Sequence, residues 1–385
     1  RWPDGSIKWV LLDFQADAGA RSTAEYVLCM GKNGLSPLRA VGVQEAEGTV
    51  KFEIGNLKLG VLTNAPGLIH AVSLSGTNLV EATKPVQAVL VDGSNTVYRA
   101  SKPDQVVVES VGPMRATVLV RGHFVAEDGA PIHGGKVGYD LRIHAYAGKP
   151  YVKLAFTLRN DGWYGYSNEG KKHPRQWLQI QSLRLDVPAV SFPAGTNMPA
   201  TLCGLDVPLG REQKASVVQW FKYPPETARG RLDETRDAPD DLARAAQVGL
   251  QQHQKGFYWC ADTPATNSAG AGQRAGWAEI RGDGGVLAGM AMRRFWQNFP
   301  AGFSAQAVDP VGSSTLSFLM FPPGGYWPRT GEAWKAKTSQ FEGGRQKTAE
   351  LLLWFGDPGQ TGAEMVRMLD QPLFARAPAT WYGDT

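Results

Sequence analysis

The densest run of chemically capable side chains lies between Asp161 and Trp177, in the order Asp-Gly-Trp-Tyr-Gly-Tyr-Ser-Asn-Glu-Gly-Lys-Lys-His-Pro-Arg-Gln-Trp. It carries Tyr164, Tyr166, Lys171, Lys172, His173 and Arg175 between the rings of Trp163 and Trp177. The run separates two strand-like stretches and is long for a hairpin loop. Loops of this length in compact domains are usually functional or disordered, and two Trp argue against disorder. The inventory suits β-elimination of a uronide. A cation on the sugar carboxylate makes the neighbouring C–H acidic and stabilises the enolate-like charge. A base then takes that proton and an acid protonates the departing oxygen. Tyr166, His173 and Lys172 are the candidates for proton transfer, and Arg175 for neutralising the carboxylate. Trp163, Tyr164, Lys171 and Trp177 are candidates for holding the sugar. The same residues would also serve a solvated loop whose Trp side chains plug the edge of the fold.

Two further segments offer cations beside rings. Met292 to Gly302 places Arg293 and Arg294 before Phe295, Trp296 and Phe299. Arg grips a carboxylate in a bidentate fork, and Trp stacks on a sugar ring; an aromatic plug with Arg294 at the surface explains the segment equally well. Phe321 to Thr330 adds Tyr326 and Arg329 amid Pro-Gly punctuation. Arg293, Arg294, Trp296, Tyr326 and Arg329 join the candidates for substrate binding. His144, inside the strand-like stretch Arg142 to Tyr146, reads as an interior, satisfied histidine. Asp233 with Glu234, and Asp240 with Asp241, suit helix capping better than the carboxylate pair of a glycoside hydrolase.

Several chemistries lack their motifs. The sequence contains no H-E-x-x-H, C-x-x-C, G-x-S-x-G or G-x-x-x-x-G-K-[ST]. Gly343 to Thr348 only superficially resembles a phosphate loop and precedes a strand. The six His are scattered, so no metal and no cofactor is called for; a calcium ion on loop carboxylates is left open. Lys and Arg total 40 against 36 Asp and Glu, without a dense basic block, which argues against bulk nucleic-acid binding. No apolar run reaches about 18 residues, so no transmembrane helix is expected. Cys29, Cys203 and Cys260 are far apart and odd in number, which supports no disulfide framework.

The elements that position these residues read as strands. In a chain of 385 residues, 45 Gly and 25 Pro predict many turns and few long helices. Asp-Gly or Asn-Gly pairs at Asp4, Asn33, Asp92, Asp128, Asp161 and Asp283 tolerate the positive φ of tight hairpins. Strands are predicted over 7–14, 24–30, 117–125, 136–146, 151–159, 178–187, 216–221, 276–281, 285–293, 314–321 and 348–355. Within 151–159, Val152, Leu154, Phe156 and Leu158 alternate with Lys153, Ala155, Thr157 and Arg159, the period of a half-buried antiparallel strand. Helices are predicted only over 239–254 and 361–369. The fold class is mainly β, a large antiparallel sandwich of two wide sheets with few short helices.

Arg1-Trp-Pro-Asp-Gly-Ser-Ile-Lys-Trp9 resembles a W-P-D-G-S-x-x-W stretch of the exo-rhamnogalacturonan lyase (PcRGLX/YetA-like) family. Gly112 to Ala116, Arg142 to Leu158 with its Tyr-Ala-Gly-Lys-Pro turn, and Met292 to Pro300 resemble that family's central β domain. The resemblance implies that residues 1–30 are the last strands of an N-terminal barrel, 31–365 the sandwich, and 366–385 a lead into a helical toroid that this chain lacks. It implies exolytic β-elimination of rhamnogalacturonan, an acidic polysaccharide partner rather than nucleic acid or membrane, and an extracellular or periplasmic location. A non-catalytic carbohydrate-binding module and a glycoside hydrolase on the same architecture are the alternatives.

Overall fold

The computed structural model describes residues 3–4, 14–16, 22–27, 40–162, 177–190, 198–210, 212–222, 256–265, 267–282, 285–308, 313–323 and 338–372. Among these the chain is built of antiparallel strands. The first five, β1 (Val41–Ala46), β2 (Thr49–Ile54), β3 (Leu57–Leu62), β4 (Ala71–Leu74) and β5 (Thr77–Val80), form a meander in chain order. Its tight turns put Glu47 and Gly48, and Ser75 and Gly76, at positive φ, the conformation that two-residue hairpins demand.

Two wide sheets follow. One runs β8 (Gln105–Val111), β9 (Arg115–Val125), β10 (Val137–Tyr146), β11 (Tyr151–Asn160), β23 (Arg345–Phe355), β19 (Gly285–Met292), β18 (Trp277–Gly282), β13 (Met198–Leu202) and β14 (Leu205–Leu209). The other runs β7 (Val97–Ala100), β6 (Gln87–Asp92), β12 (Leu178–Val190), β21 (Ser313–Phe321), β20 (Ala301–Val308), β15 (Lys214–Lys222), β16 (Gly256–Asp262) and β17 (Asn267–Ala271). The short β22 (Ser339–Phe341) also pairs with β12. β9 pairs with β7 at Arg99 and Ala100, which joins the two sheets along one edge. The expected wide antiparallel sandwich is therefore present.

Alternation explains the core. Val152, Leu154, Phe156 and Leu158 of β11 are fully buried, as are Tyr139, Leu141 and Ile143 of β10 and Leu351, Leu353 and Phe355 of β23. One continuous apolar cluster holds them together with Phe303 and Phe318 of the opposite sheet and Phe52 of the first meander. β23 breaks the alternation, because Leu352 and Trp354 on its outer face are buried too. Helix α1 (Gly362–Asp370) covers them with Met365 and Leu369. Its start is a capping box: the Glu364 amide donates to the Thr361 hydroxyl and the Thr361 amide donates back to the Glu364 carboxylate. The helix matches the stretch predicted to within a residue. Among the described residues no helix is long and apolar enough to cross a membrane.

Two expectations differ. Residues 24–27, part of the predicted strand 24–30, make no ladder with any described strand and are exposed. The stretch 239–254, predicted helical, lies outside the described residues, as do most residues of the predicted strand 7–14.

Gly289 stands opposite Trp354 in the β19–β23 ladder. A Cβ there would lie 2.1 Å from the indole ring, so only glycine lets Trp354 lie flat on the sheet beneath α1. Gly289→Ala is expected to lower the free energy of unfolding by about 1–3 kcal/mol, the usual cost of overpacking. Urea denaturation measures it; an unchanged midpoint would mean that the ring has room to move.

Candidate functional site

Pairing register sorts the outward side chains of four adjacent strands into rows. Thr117 of β9, His144 of β10, Lys153 of β11 and Leu352 of β23 stand side by side. The next row is Leu119, Arg142, Ala155 and Glu350, followed by Arg121, Asp140, Thr157 and Thr348. His123, Gly138, Arg159 and Gln346 form a fourth. Adjacent strands lie about 4.8 Å apart, so each row brings polar groups within reach of one another.

Ion pairs tie the rows together. Both oxygens of the buried Asp140 accept from Arg121, from Nε and Nη2 at 2.9 Å each, and Oδ1 also accepts from Arg159 Nε at 2.9 Å. Arg159 continues to Asp161. It can cross to Asp140 because Gly138 has no side chain: a Cβ there would sit 2.7 Å from the Arg159 guanidinium. Burial pushes the Asp140 carboxyl up, but the two arginines outweigh it and hold it below the usual carboxylate range. Arg142 Nε contacts both Glu109 oxygens at 3.0 and 3.1 Å. The Thr157 and Thr348 hydroxyls meet at 2.7 Å.

Glu350 is shared by two cations. Arg293 Nη1 donates to Oε2 at 2.7 Å, and Lys153 Nζ lies 3.3 Å from Oε1. Burial again raises the carboxyl, and the Arg293 bond with Lys153 more than reverses it. Two cations on one carboxylate leave the trio with one positive charge in excess.

His144 lies beside that excess. Its Nδ1 is 3.0 Å from Thr117 Oγ1, and Nε2 makes no hydrogen bond to a described residue. Burial lowers its pKa to about 4, with Lys153, Arg115 and Arg142 adding to the effect and Glu109 opposing it. The imidazole is therefore neutral at neutral pH. Tyr146, two residues along the same face, and Tyr151 on the next strand hold their rings 6.4 Å apart. His144 is thus satisfied at Nδ1, as expected from the sequence, but it is half-buried on the outer face rather than interior, on the polar parity of β10 with Asp140 and Arg142. The alternation of Leu141, Ile143 and Ala145 with Arg142, His144 and Tyr146 was the signal for it.

Of the residues proposed from sequence, Arg293 joins this face. Arg294 is exposed at φ 50°, and its amide donates to Asp370 Oδ1 at 2.7 Å. Trp296 is half-buried in a 3-10 turn at 296–298, while its neighbour Phe295 is buried on Phe303 with ring centroids 5.4 Å apart. Trp177 is half-buried just before β12 in the opposite sheet. Trp163, Tyr164, Tyr166, Lys171, Lys172, His173, Arg175, Tyr326 and Arg329 lie outside the described residues.

The residues from which the two long excursions leave and to which they return do meet at one rim. β22 pairs with the first residues of β12, Leu178–Ile180. Asn160 at the end of β11 donates from Nδ2 to the Phe341 carbonyl at 3.0 Å, and Phe321 packs edge-on against Phe341. Lys347 Nζ lies under this rim, 4.5 Å from the centre of the Phe321 ring and 3.4 Å from the Met320 carbonyl oxygen. Burial lowers its pKa to about 8. Among the described residues no group of three His, Cys, Asp or Glu is placed to hold a metal.

Residues 41–166 match the family model described as the central beta sandwich domain of PcRGLX-like proteins. That segment, about one third of the chain, runs from β1 through β11 and contributes three of the four strands of the charged face. No curated protein sequence is similar enough to match. Among solved structures, a galactose mutarotase-like protein from Lactobacillus casei is 11% identical, with 80% of this chain and 99% of that one aligned at a TM-score of 0.43. A galactose mutarotase related enzyme from Lactobacillus acidophilus is 9% identical, over 82% and 98%, at 0.36. A TPR-domain containing protein from Parabacteroides distasonis is 8% identical, over 86% and 50%, at 0.40. Likeness at this level speaks neither to ligand nor to chemistry.

Two measurements check the electrostatics. Asp140→Asn strands Arg121 and Arg159 and is expected to cost about 1.5–3 kcal/mol at neutral pH. Because the folded Asp140 pKa is depressed, that advantage is complete above the unfolded carboxylate value. It vanishes as pH falls through the lower folded one, so the two proteins should converge in acid by urea titration. His144 works over a higher window. The unfolded imidazole takes up a proton near 6.5 and the folded one near 4, so wild-type stability should fall as pH drops through that interval. The slope is at most about 1.4 kcal/mol per pH unit. His144→Gln should lack this component, and identical pH profiles would show the imidazole to be solvated.

Proposed function

We propose that this chain is a polysaccharide lyase-like protein acting on an acidic, pectin-like glycan of the rhamnogalacturonan type by β-elimination. The observation that carries the reading is the match of residues 41–166 to the PcRGLX-like central beta sandwich domain. The cation excess of Lys153, Glu350 and Arg293 supports a negatively charged ligand.

In this reading the uronate C5–H bond breaks as its proton passes to a base, the C4–C5 double bond forms, and the C4–O4 bond breaks with a proton delivered to the leaving oxygen. His173 or Lys172 serves as base and Tyr166 as acid. Arg175 or Arg293 neutralises the carboxylate so that charge developing at C5 is stabilised. Trp163, Tyr164, Lys171, Trp177, Arg294, Trp296, Tyr326 and Arg329 are the residues proposed to hold the sugar chain. A polymer substrate of this kind is met outside the cytoplasm, which is consistent with an extracellular or periplasmic location.

The test is incubation of the full-length protein with rhamnogalacturonan. New ultraviolet absorbance from a double bond conjugated with the carboxylate is the expected result, and it should be lost in a His173→Ala, Tyr166→Phe double variant. Cleavage to saturated products would make the protein a hydrolase instead. Binding without cleavage would make it a carbohydrate-binding module.

A further inference from the structure

We infer that His144 and Lys153, with Tyr146 beside them, form a subsite for one uronic-acid residue of an acidic glycan, on the outer face of the sheet that contains β9, β10, β11 and β23. The inference deepens the proposed function and rests on it for the class of ligand. The residues assigned above to proton transfer belong to another segment, so this subsite binds without performing the elimination.

The strand register builds the subsite. His144 and Lys153 are direct cross-strand partners, and Tyr146 follows His144 on the same face of β10. Cross-strand partners have Cβ atoms about 5 Å apart, a span that the two oxygens of one carboxylate can bridge between an imidazole N–H and an ammonium group. Thr117 sits on the far side of His144, with its hydroxyl 3.0 Å from Nδ1. When the hydroxyl donates to Nδ1, the ring proton lies on Nε2 and points away from Thr117, as a donor for the ligand. Lys153 supplies the charge. Its nearest carboxylate, Glu350, is already engaged by Arg293, so Lys153 keeps the attraction for a second anion. Arg115 and Arg142 add positive potential at the imidazole. On the other side of the pair the Tyr151 ring is buried in the apolar cluster under α1 and backs the partly buried Tyr146 ring, 6.4 Å away, whose remaining exposed edge can meet a sugar ring. Ligand sites combine few oriented polar groups with aromatic walls, and this border between the ionic rows and the apolar patch under α1 has both.

The experiment measures binding by titration calorimetry. Its two probes are a rhamnogalacturonan oligosaccharide with intact carboxylates and the same oligosaccharide with its carboxylates reduced to alcohols. The intact probe is expected to bind at least about fivefold more tightly, the smaller end of what a charge-assisted hydrogen bond provides. Lys153→Met and His144→Ala should each erase that preference, and Lys153→Arg should retain most of it. A second readout guards against misfolding: the imidazole Cε1–H resonance of His144 in the wild type should shift on adding the intact probe and stay still with the reduced one. Equal affinity for the two probes, or an unmoved resonance, overturns the subsite. If the preference is found and no unsaturated product forms, the subsite stands and the lyase reading fails. If product forms at wild-type rate and the preference is absent, the lyase reading stands and the subsite fails.

Discussion

The register between β9, β10, β11 and β23 is the constraint on which the charged face depends. Side chains alternate with period two, so a slip of one residue would send Lys153, Thr157 and Arg159 inward and Leu154, Phe156 and Leu158 out to water. Burial of the apolar set therefore fixes the polar set as well. The hydrophobic core decides where Asp140 stands between Arg121 and Arg159, and where Glu350 stands between Lys153 and Arg293. No ion pair needs to be strong for the arrangement to persist, which suits groups that remain partly in contact with solvent.

Two kinds of surface share that outer face. Toward β19 and the second half of β23, Leu352, Trp354 and Ala291 are apolar and lie under α1. Toward β9 the face is ionic, with each carboxylate engaged by at least one guanidinium or ammonium group. His144 lies where the two meet. Its neutrality follows from burial first and from its cationic neighbours second. It is an uncharged imidazole, carrying a single ring proton, in a positive surrounding, a state that an exposed histidine would not hold in mild acid.

How much of this was legible in the sequence depended on local chemistry. Strands with clean alternation, such as 151–159, were readable to within a residue, and so was α1, whose Thr361 and Glu364 announce a capping box. The β1–β5 meander and the β13–β14 hairpin were not, because their turns begin with Glu47, Gly55, Ser75 and Cys203 rather than Asp or Asn. Glu, Ser and Cys visit positive φ rarely enough that a search for Asp-Gly and Asn-Gly passes over them. Strand partners were hidden for a different reason. Thr157 meets Thr348 across 191 residues of chain, and no periodicity within either strand encodes that. The charged face was half visible in consequence: Lys153 and Arg159 lay on a readable polar parity, while Glu350 and Arg293, which complete it, came from distant segments.

The three-residue β22 has a bearing on the paired excursions beyond its size. It hydrogen-bonds to the first residues of β12, and Asn160 holds the carbonyl of its last residue. One excursion runs from the end of β11 to the start of β12, and the other from the end of β21 to β22. Their return points are thus fastened to each other by a single ladder. Breaking that ladder would therefore release the start of β12 and the end of β22 together, so a substitution that disturbs Asn160 acts on both at once.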